Sequence, residues 1–210
     1  MDKKIILRNW NQYISQKLMK LIKTELEGNI YSIHKNKNKA DILNVKQLNI
    51  IELMSKTKPH NILEIGFNAG FSALLMLMSK NDVTLTCIDI NDHPYVVPCY
   101  QQLCQDFKNI TLITQSSHIV LPKLIHEGKK YDLIHIDGDH SPNGAKNDFD
   151  QCVKLCHKGS IIILDDTNIP YLNELCELSI KNHLFKDYIF NKLEGTTYSH
   201  RFMEYIKICS

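Results

Sequence analysis

The sequence has no marked excess of either charge, no C-x-x-C cysteine pair, no apolar run of membrane-spanning length, no internal repeat and no low-complexity domain. Each absence excludes a class. With 25 Lys and Arg against 23 Asp and Glu, the formal charge is +2, far from the basic balance of a dedicated nucleic-acid binder. Nucleic acid is therefore not an expected partner. Seven cysteines, an odd number without a secretory signal, predict reduced thiols and a cytoplasmic protein. Cys152, Cys156 and His157 sit at helical spacing, but buried helix-face thiols are the simpler expectation over a metal site. The opening MDKKIILRNW is too short in apolar residues for a signal peptide, so no membrane partner is expected. At 210 residues one substantial core is enough, and nothing demands a second.

A further absence concerns the stretch around which the chain is organised, NILEIGFNAGFSALLMLMS at 61–79. Ile62, Leu63 and Ile65 read as a short buried strand, and Ala73, Leu74, Leu77 and Met78 recur at helical spacing. Gly66 and Gly70 allow a tight turn and close approach of a ligand. From Gly66, however, the sequence runs G-F-N-A-G-F-S, with Asn68 where the dinucleotide fingerprint needs its second glycine. The acid Glu64 near the turn suits an amine or hydroxyl better than a pyrophosphate. Both features point to S-adenosylmethionine more than to NAD.

The rest of the chain supplies the setting. Residues 10–27 place Trp10, Tyr13, Ile14, Leu18, Leu21 and Ile22 on one face, an amphipathic helix for the core edge or a second subunit, so a homodimer is one expectation. HKNKNKA at 34–40 reads as a solvated mobile loop. This gives an N-terminal segment 1–40 and a main domain 41–210. Asp41 looks like the cap of a second helix that ends before Pro59. Strand signals then recur at Val83–Ile90, Ile110–Thr114, Tyr131–Asp137 and Ser160–Asp165. Helical stretches at about 97–107, 117–127, 142–157 and 170–183 follow them in turn. Such alternation predicts a mostly parallel Rossmann-like α/β sheet with helices on both faces. Two final runs, Asp187–Leu193 and Phe202–Ile208, have no helix between them and must pair antiparallel, making seven strands.

Ligands of open α/β sheets bind at the carboxyl ends of strands. Those ends read Glu64-Ile65-Gly66, Asp89-Ile90-Asn91, Gln115-Ser116-Ser117, Asp137-Gly138-Asp139-His140 and Asp165-Asp166-Thr167. Asp89 lies 23 residues after Gly66, about the distance at which an acid grips ribose hydroxyls. The strand ends of Asp137 and Asp165 are separated by about one helix and one strand, which brings them side by side. Carboxylates that close repel unless a cation sits between them. Asp137, Asp165 and Asp166 are thus candidate ligands of a divalent metal, Mg²⁺ first and Mn²⁺ or Ca²⁺ next, with Asp139 as a substitute for Asp137.

LEIGFNAGFSALLM, LTCIDI, the Ser117 region with Leu121-Pro122, YDLIHIDGDH and GSIIILDDT together resemble the motifs of class I S-adenosylmethionine-dependent O-methyltransferases. The similarity is to the catechol O-methyltransferase-like group with DGDH and DDT boxes, over roughly residues 40–208. The resemblance implies that Glu64, Gly66, Asn68, Gly70 and Ser72 surround the methionine part of the cofactor. It puts Asp89 on the ribose, Ile90 against the adenine and Ser117 at the adenine edge, with Asp137 shared between cofactor and metal. Two positions depart from the group's pattern. His140 stands where the catechol enzymes have a catalytic lysine, and Asp166 where they have an asparagine ligand. His140 is then the candidate base, and the expected acceptor is a hydroxyl on a small molecule or sugar. Two alternatives stay open: a metal-independent enzyme acting on nitrogen or a macromolecule, and an inactive cofactor-binding subunit.

Overall fold

A computed structural model describes residues 2–26, 40–188 and 200–207. Its centre is a seven-stranded sheet made of β1 (Asn61–Ile65), β2 (Thr84–Ile88), β3 (Ile110–Ile113), β4 (Tyr131–Ile136), β5 (Cys156–Leu164), β6 (Phe185–Asp187) and β7 (Arg201–Tyr205). The spatial order is β3-β2-β1-β4-β5-β7-β6. The first five strands pair in parallel, and β7 runs antiparallel between β5 and β6. The strand order reverses beside β1, which opens a crevice over the carboxyl ends of β1 and its neighbours.

Both faces of the sheet are buried, and successive side chains divide between them. Ile62, Leu133, Ile161 and Ile163 enter one core, which also holds residues of α1 (Lys3–Tyr13), α2 (Ala40–Thr57), α3 (Phe71–Ser79) and α4 (Val96–Asp106). Leu63, Ile134, Ile136, Ile162 and Leu164 enter the other, with α5 (Ser117–His126), α6 (Pro142–Lys154) and α7 (Pro170–Lys181). The alternation decides where polar residues go. Glu64 pairs in register with Cys87 on one side and His135 on the other, so all three side chains leave the sheet on the α2 face.

The N-terminal helix starts earlier than its apolar pattern indicates. Asp2 caps it by accepting the Lys4 N–H at 2.9 Å, and a π-helical turn at Ile14–Leu18 extends it. Trp10, Ile14 and Leu18 are buried in this chain's own core, and the Trp10 indole donates to the Phe71 carbonyl at 2.7 Å. The apolar face read as suiting the core edge or a second subunit packs on the core edge. β5 begins four residues before the expected Ser160, so α6 ends at Lys154. Cys156 consequently lies on a strand, and the Cys152, Cys156 and His157 group does not share a helix face. His157 instead pairs with Asp132 at 2.9 Å. Ser141 caps α6 through the Gly144 N–H, with Pro142 in the first turn. The basic run at 34–39 and the segment around Gly195 lie outside the described residues. No described helix is long and apolar enough to cross a membrane.

Candidate active site

The turn after β1 is built around Gly66 and Asp89. Gly66 has φ of 90°, and a Cβ there would collide with the Asp137 backbone carbonyl, so only glycine lets this turn lie against the loop after β4. Asp89 Oδ2 accepts the N–H groups of Phe67 and Asn68 at 2.9 and 2.8 Å, while Oδ1 accepts that of Asn91 at 2.7 Å. One carboxylate thereby ties the end of β2 to the turn after β1. Asn68 and Asn91 sit in left-handed conformations at φ of 49° and 64°, a geometry that asparagine tolerates better than most residues. Gly70, also left-handed, caps α3.

These elements wall a cavity of about 570 Å³, within the size range of small-molecule sites. Gly66, Asn68, Ser72, Asp89, Ile90, Ser117, Asp137 and His140 all border it. Gly70 stands behind the turn as the cap of α3. Glu64 lies beneath the cavity wall, wholly buried. It accepts the Ser72 hydroxyl at 2.5 Å, lies 3.2 Å from His135 Nδ1 and takes the Cys87 thiol at 3.3 Å. Its reach toward the cavity therefore passes through Ser72.

A second cluster stands at the ends of β4 and β5. His140 Nε2 lies 3.5 Å from Asp137 Oδ1 and 3.2 Å from Asp166 Oδ2, and the three side chains offer ligand atoms within 4.8 Å of one another. Hydrogen bonding to Asp137 and the nearby charge of Asp166 raise the His140 pKa above the usual histidine value. Burial, together with the charges of Asp165 and Asp137, raises that of Asp166. Asp166 holds φ of 52°, strain of the kind found at functional sites. Asp139 accepts the Ser141 N–H at 2.8 Å, serves the start of α6 and joins neither possible metal triad.

Asp165 is placed differently from its neighbours. It is buried, and the Lys46 ammonium stands directly on its Oδ2. His135 Nε2 approaches the same oxygen at 3.5 Å. Asp137, Asp165 and His135 form a second possible triad, but Lys46 already neutralises it. Burial alone would raise the Asp165 pKa, yet Lys46 and His135 hold it well below the usual carboxylate range. Burial would likewise depress His135, and hydrogen bonds to Asp165 and Glu64 instead push it up to about 10. Glu64, His135, Asp165 and Lys46 therefore make a row of alternating charge under the site, reaching the cavity through Ser72. Lys46 and His135 were not among the residues singled out from sequence. His135 lies inside the almost wholly buried strand β4, and only the strand register, which sets it beside Glu64, brings it out.

A family described as a methyltransferase domain matches residues 63–167, the segment from β1 to just past β5. The chain belongs to this methyltransferase family. No curated protein matches the sequence. Among solved structures, an O-methyltransferase from Bacillus cereus in complex with SAH is 16% identical with a TM-score of 0.64, covering 95% of this chain and 99% of that one. Cofactor-bound Rv0187 from MTB is 11% identical with a TM-score of 0.67, covering 97% and 90%. The O-methyltransferase TomG from Streptomyces achromogenes, involved in tomaymycin synthesis and solved with SAM, is 14% identical with a TM-score of 0.61, covering 77% and 79%. At these identities the likeness concerns the fold, which this methyltransferase shares with the first two over most of each chain.

Proposed function

We propose that this methyltransferase uses S-adenosylmethionine to methylate a hydroxyl oxygen of a small molecule or sugar. The observation that carries the reading is a continuity. The cavity bounded by Gly66 and Asp89 is also bordered by Asp137 and His140, so a cofactor site and a proton-handling cluster share one space. In this assignment Asp89 receives the ribose hydroxyls through Oδ1, which carries one backbone bond and keeps a lone pair, whereas the Phe67 and Asn68 N–H groups already fill Oδ2. Ile90, 57% exposed at the rim, lies against the adenine, and Ser117 meets its edge. The turn from Gly66 to Gly70 and Ser72, backed by Glu64, hold the amino-acid part.

The sulfonium supplies a methyl group whose transfer to an acceptor oxygen leaves a thioether and frees one proton. His140 takes that proton at Nε2, and Asp137 and Asp166 stabilise the imidazolium that results. Because they also raise its pKa, the rate should climb with pH to a midpoint above that of an ordinary histidine. A divalent cation fits the carboxylates of Asp137 and Asp166, where negative charge is uncompensated enough to raise the Asp166 pKa, and leaves His140 Nε2 free for the proton. The two carboxylates suit Mg²⁺, with Mn²⁺ or Ca²⁺ as further candidates. Such an ion lowers the pKa of a bound hydroxyl. Asp165 is not in this donor set, because Lys46 holds it. The same internal cation favours a second reading, a metal-independent enzyme in which Lys46 and the two histidines balance the acids.

Transfer of labelled methyl from S-adenosylmethionine to a panel of hydroxyl acceptors, with EDTA and with Mg²⁺ or Mn²⁺ restored, separates these readings. Loss in EDTA and recovery with metal is the expected result. Full turnover in EDTA favours the metal-independent enzyme, and no transfer to any acceptor favours an inactive subunit. His140→Ala should slow transfer by roughly 10²–10⁴-fold, and an unaltered rate and pH profile would remove it as the base.

A further inference from the structure

The charge row beneath the site ends on a residue from outside the sheet. Lys46 comes from α2, and its side chain is only 12% exposed, a burial that lysine rarely reaches unless it is paired. Its partner is Asp165, and both oxygens of that carboxylate are engaged. Oδ2 carries the Lys46 ammonium and lies 3.5 Å from His135 Nε2, while Oδ1 accepts the Asp166 N–H at 2.9 Å. The Asp165 N–H in turn donates to the Ile136 carbonyl at 3.0 Å, which fixes this strand end beside that of Asp137. Burial alone would lower the Lys46 pKa, yet the charges of Asp165, Asp137 and Asp166 raise it. One ammonium thus feels the same three acids that a divalent cation would bridge.

Asp137 belongs to both possible metal triads, with Asp165 and His135 in one and with Asp166 and His140 in the other. Lys46 closes the first. The second is open at the cavity, which Asp137 and His140 border. A metal on Asp137 and Asp166 therefore meets a fixed positive charge on the neighbouring acid, and like charges in a poorly solvated place repel. We infer that the Lys46 ammonium is an internal competitor of the divalent cation, withholding Asp165 as a ligand and keeping the site on Asp137 and Asp166 weak. The inference rests on the metal reading above and adds to it the residue of α2 that sets the affinity. Affinity for hard cations follows the number of charged oxygen ligands, so freeing Asp165 and removing a cation act in the same direction.

The test is binding of Mn²⁺ alone to the full chain, followed by calorimetry and by the melting temperature. Lys46→Met should bind Mn²⁺ about ten- to a hundredfold more tightly than wild type, the scale on which groups around the ligands tune a metal site. Its melting temperature, lowered without metal, should rise with Mn²⁺ more than that of wild type, because an ion that binds the folded chain stabilises it. Lys46→Gln, whose amide keeps a donor for Asp165 but not the charge, should shift the affinity the same way and serves if the methionine variant does not fold. Adding Asp165→Asn to either variant should abolish the gain. A lysine that serves stability alone would leave Mn²⁺ affinity unchanged or weaker on substitution, and that result overturns the inference. Equal binding by wild type and variants overturns it while the metal reading stands. Binding by the variants with none by wild type upholds it and removes the metal from the wild-type mechanism. No binding by any of them overturns both.

Discussion

The two sides of the site are held together by different physics. Around Asp89 the parts are mostly backbone: glycine turns, left-handed asparagines and N–H groups gathered on one carboxylate. Around Asp165 and Asp137 the parts are side-chain charges, with Lys46, His135 and His140 set among the acids. The first arrangement is local in sequence and positions a ligand by shape. The second depends on distant segments meeting, and its stability follows charge balance and pH. Altering one side at a time should therefore give distinct signatures.

The largest effect belongs to Lys46. Removing one member of a buried ion pair leaves an uncompensated charge and typically costs about 3–5 kcal/mol. Lys46→Met should lower the unfolding free energy by that order in chemical denaturation, because the Asp165 carboxylate is buried and would lose its counter-ion. A change below about 1 kcal/mol, the scale of an exposed pair, would mean that the pair is solvated and that the charge side is not a buried network.

Next is pH. His200, bonded to Asn49 at 3.0 Å, has its pKa lowered by burial to about 4 from 6.5. The folded value lies below the unfolded one, so His200 contributes stability that is present above pH 6.5 and lost as pH falls toward 4. At about 1.4 kcal/mol per unit the loss approaches about 3 kcal/mol. His135 works in the opposite sense. Its folded value of about 10 gives stability that is complete below pH 6.5 and lost as pH rises toward 10. Together they place the optimum near 6.5. The melting temperature of wild type should fall from pH 7 to pH 5 and fall less in His200→Gln, and equal dependences on pH would remove His200 from the network.

The same contrast explains what could be read in the sequence. The β1 turn, Asp89, Ser117 and the strand-end acids were legible because each follows from a local pattern: a strand that ends, a glycine that turns, an acid at a fixed distance. The sheet was legible too, including the antiparallel pairing of the tail, but the first tail strand was expected at Asp187–Leu193, whereas β6 is Phe185–Asp187 and residues 189–193 lie outside the described residues. Lys46 was not. It sits among apolar residues of α2 and is recognisable only once that helix lies across the end of β5. His135 was hidden inside an apolar strand. Asp165 and Asp166 looked equivalent as neighbours in sequence, yet the backbone turn at Asp166 sends one into a buried ion pair and the other toward His140. The start of β5 was missed because Lys158 and Gly159 interrupt its apolar run.

The smallest effect bears on the side built from backbone. S-adenosylhomocysteine titrated into wild type and Asp89→Ala, each checked for folding by its melting curve, reports directly on whether the cavity between Gly66 and Asp89 is a cofactor site. Loss of the ribose bonds should weaken binding by about 1.5–3 kcal/mol, roughly ten- to a hundredfold. Equal affinity in a folded Asp89→Ala protein, or no binding by wild type, would contradict the assignment.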